Sequence, residues 1–324
     1  MSKVLDCVIG HAVGDAMGVP TEFKSREKLL SNPVTDMVGF GSHSVPKGTW
    51  SDDTSMSIGT IDAIINNNGE INLKDIMMNF YYWLKENKFT PHGEVFDAGS
   101  TCVKSVVNFS KSLDVTTCGL KDVYSNGNGS LMRIYPIALY AYYKGLLEEE
   151  VIKLVNDASS LTHAHEISKL GCYIYTRYMM YLLSGSSKEE AYKKVRMIDY
   201  SSYDESAIKA YSRILDNNIA NLKIDDIKSS GYIVDTLEAS LWILLNSKDY
   251  KEAIIASTNI GNDTDTIGAI TGSMAGIIFG IENIPSKWVD DLVKKDYLFD
   301  LAKDFEKSLD IEEKQLWSKI LMNF

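Results

Sequence analysis

The chain has 324 residues and carries 33 Lys and Arg against 44 Asp and Glu, which gives a formal net charge of −11. This acidic balance argues against a general nucleic-acid-binding surface, because phosphate backbones are bound by basic patches. Hydrophobic residues make up 45% and charged residues 24%, as in ordinary soluble globular proteins. A chain of this length is long for one core, but we expect a single domain over 1–324 because no composition shift marks a linker.

The sequence also predicts where the protein works. The longest apolar run, 267–281, has about fifteen residues and is shorter than the roughly 20 that cross a bilayer. Asp6 and Asp15 interrupt the apolar residues near the start, unlike a signal peptide. The four cysteines form no Cys-x-x-Cys pair, which is typical of reduced thiols. We therefore expect a soluble, cytoplasmic protein.

The first predicted helix covers residues 3–19, where apolar residues recur with the spacing of a helical face. Gly10, Gly14 and Gly18 lie four residues apart, so this helix can pack closely against a neighbour. The segment 24–49 that follows is rich in Pro and Gly. We expect it to be a long loop that covers a functional site.

Two predicted helices begin with clusters of carboxyl and hydroxyl groups. One follows the segment 51–54 (Ser-Asp-Asp-Thr) and ends near Asn66, and the other follows 263–266 (Asp-Thr-Asp-Thr) and runs to Gly280. Helix N-termini favour negative charge, so the acids suit these positions. If the two helix starts face one another, they supply six hard oxygen ligands for metal ions.

The second of these helices carries glycines at every fourth residue, at positions 268, 272, 276 and 280. Residues i and i+4 share a helical face, so these glycines form a stripe along which another helix can approach closely. A rigid, deeply packed helix of this kind is a suitable support for a metal site.

Other polar segments are weaker signals. Asp97 precedes a Gly-Ser-Thr turn into a helix through Phe109, and the Gly- and Asn-rich segment 124–133 leads into a further helix. Backbone amides at such a loop–helix junction can bind phosphate. His163 and His165 are two residues apart and would face different ways on a helix, which disfavours a zinc pair.

The remaining elements are also helical. No segment shows the apolar–polar alternation of strands, and we predict an all-α fold, a compact orthogonal multi-helix bundle with more than a dozen helices. Besides those named above, the predicted helices cover 73–86, 147–159, 163–184, 187–197, 204–220, 230–246, 249–258, 287–295 and 298–322.

Each site residue has an ordinary structural interpretation when it is taken alone. Asp263, Asp265 and Asp97 suit helix N-caps, and Glu22 suits a solvated loop. The 124–133 segment suits a simple turn, and a lone histidine is more often structural than functional. The pairing of two acidic helix starts favours the metal site over these alternatives.

Six motifs follow one another along the chain. They are Gly14-Asp-Ala-Met-Gly-Val-Pro-Thr-Glu22, Gly48-Thr-Trp-Ser-Asp-Asp-Thr-Ser-Met56, Phe96-Asp-Ala-Gly-Ser-Thr101, Gly127-Asn-Gly-Ser-Leu-Met-Arg133, Leu161-Thr-His-Ala-His165 and Gly261-Asn-Asp-Thr-Asp-Thr-Ile267. In this order they resemble the DraG-like ADP-ribosylglycohydrolases, a family that includes the dinitrogenase reductase-activating glycohydrolase. The resemblance runs from residue 5 to about 280, and the six ordered motifs are together highly specific.

The resemblance implies an all-α fold with a binuclear magnesium site at helix N-termini. All-oxygen ligands select hard cations, so we expect two Mg²⁺ ions, with Mn²⁺ possible. One departure is the serine at the first ligand position, where family members often have threonine, but the hydroxyl ligand is kept. The implied metal ligands are Ser51, Asp52, Asp53, Asp263, Asp265 and Thr266.

The same resemblance implies where the substrate lies. The distal ribose is expected on the metals, the diphosphate against the 125–130 loop, and His163 near the adenosine side. The implied catalytic acids are Glu22, as in the serine- and polymer-cleaving branch, and Asp97, as in the arginine-cleaving branch. The implied substrate-binding residues are Gly99, Ser100, Ser125, Asn126, Gly127, Asn128, Gly129, Ser130 and His163.

These implications predict metal-dependent hydrolysis of the bond between ADP-ribose and an acceptor, most simply arginine on an ADP-ribosylated protein, with ADP-ribose as product. Three alternatives stay open: a hydrolase of serine-linked or other O-linked ADP-ribose, a metal-dependent nucleotide phosphohydrolase, and a non-catalytic ADP-ribose-binding relative. General nucleic-acid binding and membrane binding are not expected.

Overall fold

The computed structural model describes residues 2–310 of the chain. Within this range there is no β-strand, and only two isolated bridges join extended residues. The predicted all-α fold is therefore confirmed. The α-helices are α1 Lys3–Gly18, α2 Arg26–Ser31, α3 Asp52–Asn66, α4 Leu73–Glu86, α5 Ser100–Ser112, α6 Tyr135–Lys144, α7 Glu148–Ser160, α8 Glu166–Leu183, α9 Lys188–Val195, α10 Glu205–Ala210, α11 Ser212–Asp216, α12 Ile233–Asn246, α13 Tyr250–Asn259, α14 Thr264–Phe279, α15 Ser286–Asp291 and α16 Lys295–Ser308.

Several predicted boundaries are wrong. The loop predicted over 24–49 contains the short helix α2, which Ser25 caps by accepting the N–H of Lys28. The helix predicted over 163–184 begins only at Glu166, because the ring of His165 caps it by accepting the N–H of Ile167. Both differences arise from side-chain caps that apolar periodicity does not register.

The helix predicted over 204–220 is interrupted. Tyr211 separates α10 from α11 with φ −95° and ψ 9°, and its buried side chain donates a hydrogen bond to the carbonyl of Ile167. Tertiary anchoring of this side chain thus overrides the helical pattern. The last helix begins at Lys295 instead of 298, and residues 311–322 of the predicted helix lie outside the described residues.

The close approach predicted from the glycine stripes occurs between α1 and α14. A Cβ on Gly14 would overlap the carbonyl oxygen of Gly268 and lie 2.5 Å from its carbonyl carbon. Gly10 faces Gly272 in the same way, so only glycine fits along this backbone-to-backbone contact. Gly280 does not extend the stripe as predicted, because it ends α14 with φ +81°.

The seam between α1 and α14 fixes the position of the acidic helix starts. Gly18, at the end of α1, lies against the backbone of Asp265 in the first turn of α14. Asp15, one turn earlier on α1, accepts hydrogen bonds from the backbone N–H groups of Ser51 and Thr54 at the start of α3, at 2.9 and 3.1 Å. Helix α1 therefore holds both acidic segments beside each other.

Buried apolar side chains from nearly all these helices form one continuous cluster around the seam. The four cysteines are buried, and none forms a disulfide with another. Among the described helices, none combines the length and the apolar character needed to cross a membrane.

Candidate active site

Four aspartates, of which Asp263 is half-buried and the other three are buried, stand at the facing starts of α3 and α14. Asp52 and Asp53 begin α3, Asp263 is the N-cap of α14, and Asp265 lies in its first turn. The hydroxyl of Thr266 donates to Asp53 Oδ1 at 3.4 Å, which shows how closely the two segments approach. The two helix starts thus face one another as the sequence predicted.

Two oxygens of this cluster have no hydrogen-bond partner. Asp53 Oδ2 and Asp265 Oδ1 are buried and unpaired, which is costly for carboxylates removed from water. Their carboxylates are also close enough to share an ion: the ligand oxygens of Asp15, Asp53 and Asp265 lie within 4.8 Å of one another, as do those of Glu22, Asp263 and Asp265. These unsatisfied oxygens fit a divalent cation, and an all-oxygen donor set favours a hard one.

The raised pKa values of these carboxylates are also consistent with a cation site. Burial, followed by the neighbouring Glu22 and Asp263 charges, raises the pKa of Asp265 well above its usual range. Burial and the charge of Asp15 do the same to the pKa of Asp53. Carboxylates that repel each other in a dry site need either protons or cations to be stable, so the site is suited to a bound cation when the acids are deprotonated.

Asp15 is a residue whose role sequence reasoning missed. In the sequence, Asp15 stands out only as an interruption of an apolar segment. In the structure it is fully buried, and it accepts hydrogen bonds from the Thr54 hydroxyl at 2.6 Å and from two backbone N–H groups. Burial raises its pKa to about 7, although the hydrogen bonds from Thr54 and Ser51 lower it. An acid inside an otherwise apolar helix is the sequence signal that could have identified it.

Ser51 occupies the N-cap of α3, and its Oγ accepts the N–H of Asp53 at 3.3 Å. Its own N–H is bound to both oxygens of Asp15, at 2.9 and 3.0 Å. The hydroxyl is therefore held at the start of the helix beside the carboxylates, where it can serve as a ligand or a cap.

The two predicted catalytic acids meet at one histidine. His43 Nε2 is hydrogen-bonded to Glu22 Oε2 and lies 4.0 Å from Asp97 Oδ2. The aromatic rings of Phe23 and Phe96 flank the imidazole at 5.7 and 5.3 Å between ring centroids. Sequence reasoning missed His43, although it lies in the segment 24–49 that was predicted to cover the site.

Neither acid fits the ordinary interpretation. Glu22 is only 5% exposed, so it is not a solvated loop residue, and burial followed by the charges of Asp97 and Asp263 raises its pKa to about 10. Asp97 is not the N-cap of α5, because that position belongs to Gly99. Asp97 instead has φ +54°, a strained conformation for a non-glycine residue that often marks functional sites.

A cavity of about 300 Å³ opens onto these groups. Its wall brings together most of the residues predicted for the site, and also Tyr124 and Gly231, which sequence reasoning did not single out. Of the predicted residues, those that line it are Glu22, Asp52, Asp97, Gly99, Ser100, Gly127, Asn128, Gly129, His163, Asp263 and Thr266.

Three predicted substrate-binding side chains are directed elsewhere. The Ser125 hydroxyl donates to Asp122, and the Asn126 side-chain oxygen accepts from Ser168. Ser130 is fully buried and accepts from the hydroxyl of Ser159 at 3.1 Å. Of residues 125–130, only Gly127, Asn128 and Gly129 reach the cavity wall.

Asn128 connects this loop to the acidic end of the cavity. Its side-chain amide donates to Asp263 Oδ2 at 2.6 Å and to the hydroxyl of Thr236 at 2.9 Å. Its backbone N–H donates to the carbonyl of Gly231 at 3.0 Å. The loop is thus fixed between α12 and the start of α14, so both ends of the cavity belong to one rigid arrangement.

The family model of the ADP-ribosylglycohydrolases matches residues 1–315. The chain belongs to this family. It is therefore a hydrolytic enzyme, and the predicted family and enzyme class are confirmed. It is 30% identical to the ADP-ribosylarginine hydrolase Tri1 of Serratia proteamaculans (strain 568) over 311 residues, which cover 94% of this chain and 78% of that relative.

A second relative and a solved structure support this family membership. The ADP-ribosyl-[dinitrogen reductase] glycohydrolase of Rhodospirillum rubrum is 27% identical over 296 residues, which cover 90% of this chain and 91% of that protein. A solved structure of an ADP-ribosylglycohydrolase-related protein complex superposes with a TM-score of 0.79 at 26% identity, covering 95% of this chain and 98% of that one. The likeness therefore extends over nearly the whole chain in both sequence and fold.

Proposed function

We propose that this protein is a cytoplasmic, single-domain enzyme that removes ADP-ribose from arginine side chains of proteins with the help of two Mg²⁺ ions. The observation that carries the proposal is the pair of facing acidic helix starts, which hold unpaired buried oxygens on Asp53 and Asp265 and reach the wall of a cavity through Asp52, Asp263 and Thr266. The arginine linkage is supported by the likeness to an ADP-ribosylarginine hydrolase over 94% of the chain.

The metal ions would be held by the two acidic segments. The residues that fit this role are Ser51, Asp52, Asp53, Asp263, Asp265 and Thr266. When bound, such ions would help to orient the hydroxyl groups of the substrate and would lower the pKa of a bound water. Asp15 contributes by fixing the start of α3 through its hydrogen bonds to Ser51 and Thr54.

Glu22, Asp97 and His43 would handle the proton of the reaction. Cleavage of the glycosidic bond builds positive charge on the ribose, which nearby carboxylates stabilise, and the departing nitrogen needs a proton. Glu22 and Asp97 both lie within 4.0 Å of one imidazole nitrogen, so a proton can be held at this wall of the cavity. This network therefore supports both acids as catalytic residues.

The other end of the cavity suits the diphosphate. Gly127, Asn128 and Gly129 present a loop whose turn begins a short 3-10 helix, and backbone N–H groups at such a turn bind anionic oxygens. Gly99 and Ser100, at the start of α5, also line the cavity. Exposed Tyr124, at the rim, offers a flat surface for a base.

The test is release of free ADP-ribose from matched arginine-linked and serine-linked ADP-ribosyl peptides, with magnesium and with EDTA. We expect magnesium-dependent release from the arginine peptide. Release from the serine peptide alone would show that serine, and not arginine, is the acceptor. Binding of ADP-ribose without release would indicate a non-catalytic relative. Phosphate release from nucleotides in place of ADP-ribose would indicate a phosphohydrolase.

Substitution of the two acids separates their roles. Asp97→Asn and Glu22→Gln keep the size of each side chain and remove its charge. If Asp97 protonates the departing nitrogen, Asp97→Asn lowers kcat on the arginine peptide by 10²-fold or more, on the order expected for a general acid. A larger loss for Glu22→Gln would assign that step to Glu22.

A further inference from the structure

Arg133 is a fully buried arginine without a carboxylate partner. It is 1% exposed, its guanidinium lies over the ring of Phe80 at 4.6 Å, and its Nε has no hydrogen-bond partner. Within the described part of the chain, no acidic side chain forms an ion pair with it. A buried charge without a counter-ion is costly, so its presence behind the cavity wall calls for an explanation.

The contacts of Arg133 lead to the cavity through one hydroxyl. Its Nη2 donates to the carbonyl of Ala158 at 3.2 Å and to Thr162 Oγ1 at 2.8 Å. Thr162 Oγ1 in turn lies 2.8 Å from Nδ1 of His163, whose ring lines the cavity. Arg133, Thr162 and His163 thus form a chain of hydrogen bonds from the core to the cavity wall.

The direction of this chain follows from what each group can donate. A guanidinium only donates, so Thr162 Oγ1 is the acceptor in its bond with Arg133. The hydroxyl proton then needs an acceptor of its own, and of the two candidate acceptors beside it, Nδ1 of His163 at 2.8 Å is a stronger acceptor than the sulfur of Cys102. Nδ1 therefore carries no proton, and the proton of the neutral imidazole is on Nε2.

We propose that Arg133 and Thr162 are positioning residues that fix His163 as the Nε2–H tautomer and thereby present a neutral N–H donor to an anionic oxygen of the ligand. This inference rests on the proposed function, because it assigns His163 to the diphosphate end of the ADP-ribose cavity, instead of the adenosine side that the family resemblance implies. The buried charge of Arg133 lies behind the same donor and favours an anion in front of it.

The cavity itself supports this assignment. Among the described residues, no lysine or arginine side chain lines it. An anion is therefore bound by N–H groups and by a charge that does not reach the cavity. The loop also leaves the ring accessible: a Cβ on Gly127 would lie 3.6 Å from His163 Nε2, and a Cβ on Gly129 only 2.9 Å from Cε1.

The neutral form of His163 is consistent with its surroundings. Burial, assisted by the charge of Arg133, lowers the pKa of His163 to about 3. The groups that face it are the hydroxyl of Thr162, the guanidinium of Arg133 and the thiol of Cys102 beside Gly129. A donor of this kind recognises an anionic oxygen at acidic and neutral pH alike, because it does not titrate there.

The experiment reads the tautomer directly, by long-range ¹H–¹⁵N correlation of the imidazole nitrogens in the whole chain. The protein has five histidines, and His163→Gln assigns the signal of His163 by its loss. We expect the pattern of an Nε2–H imidazole that does not titrate between about pH 5.5 and about pH 8. An Nδ1–H pattern, or a signal that titrates in this range, overturns the proposal.

Thr162→Val removes the hydroxyl and keeps the shape. We expect loss of the fixed tautomer and an approximately tenfold higher Kd for ADP-ribose, the size of one lost buried hydrogen bond, whereas Thr162→Ser restores both. The matched control is Thr176→Val, because the Thr176 hydroxyl in α8 is equally buried but has no partner. An unchanged tautomer and an unchanged Kd in Thr162→Val overturn the proposal.

The outcomes separate this inference from the proposed function. A wild-type protein that releases ADP-ribose but shows the Nδ1–H tautomer retains its function and loses only the positioning role of Arg133 and Thr162. If the wild-type protein neither binds nor releases ADP-ribose, the proposed function is wrong, and so is the assignment of His163 to this ligand. The inference is then overturned even if the tautomer is as expected.

Discussion

The two ends of the cavity differ in charge and in the kind of group that forms them. One end is built from the buried carboxylates of Asp52 and Glu22 and the half-buried carboxylate of Asp263, and burial and neighbouring carboxylates raise their pKa values. The other end consists of glycine backbone and the neutral ring of His163. Neither end has a cationic side chain from the described residues on its surface.

This difference indicates how an acidic protein would bind the anionic ligand that we propose. The carboxylate end can be neutralised by protons or by cations, and the cations that we propose there would attract the sugar hydroxyls of the substrate. The neutral end provides N–H donors and no negative charge, which suits phosphate oxygens. The Asn128 side chain, hydrogen-bonded to Asp263, holds the two ends at a fixed distance.

The largest expected effect comes from removing one carboxylate of the acidic end. Asp265→Ala should lower kcat/KM by on the order of 10³-fold or more, because a proposed metal ligand is lost. The metal-free variant should be no less stable than the metal-free wild type, since a buried, repelled carboxylate has been removed. Steady-state kinetics and melting in EDTA check both expectations. Turnover at the wild-type level contradicts the metal role.

The next effect concerns the seam that carries the acidic end. Gly14→Ala should destabilise the fold by about 3 kcal/mol, because its Cβ would meet the backbone of Gly268, which cannot move aside. Gly59→Ala in α3 is the control: its Cβ would have ordinary contacts at 3.5 Å, and alanine favours a helix by about 1 kcal/mol over glycine. Urea unfolding measures both, and equal stabilities would show that the seam is not closely packed.

A smaller effect couples magnesium and pH at the acidic end. Burial raises the pKa of Asp15 to about 7, whereas the pKa of an aspartate in the unfolded chain is about 3.9. Between these values the unfolded chain releases protons that the folded chain keeps, so the metal-free protein loses stability as the pH rises. Magnesium needs the deprotonated acids and should therefore raise the melting temperature more at about pH 8 than at about pH 5.

Calorimetry with magnesium and with EDTA at both pH values measures this difference. Asp53→Asn is the matched variant, because it removes one charge from the cluster without changing its size, and the pH dependence of the magnesium effect should shrink in it. A magnesium effect that is equal at both pH values would mean that these carboxylates are not its ligands.

The smallest effect tests the neutral end. Gly127 has φ −66° and ψ 167°, which alanine adopts without strain, and the added Cβ would find room 3.6 Å from His163 Nε2. Gly127→Ala should raise the Kd for ADP-ribose by about three- to tenfold by crowding this donor, and leave magnesium binding unchanged. Titration calorimetry measures both ligands, and a parallel loss of magnesium affinity would show that the two ends are not separable.

Much of this architecture follows from local patterns. Helical periodicity predicted the all-α fold, and the glycine spacing on two helices predicted a close contact that the structure places between α1 and α14. Acids at two helix starts predicted a shared site, and Asp53 and Asp265 do face one another across it. Errors arose where a tertiary contact or a side-chain cap ended a helix, as at Tyr211 and His165.

The sequence by itself determined which chemical groups the protein has and on which helical face or at which helix start each of them lies, because these depend on spacing along the chain. Only the tertiary structure decided which groups meet. Asp15 binds the start of α3, His43 joins Glu22 to Asp97, and Arg133 reaches His163 through Thr162. Apart from the contact between the adjacent residues Thr162 and His163, these contacts connect residues from 21 to 54 positions apart. No local periodicity encodes them, because they depend on how the helices pack around the seam.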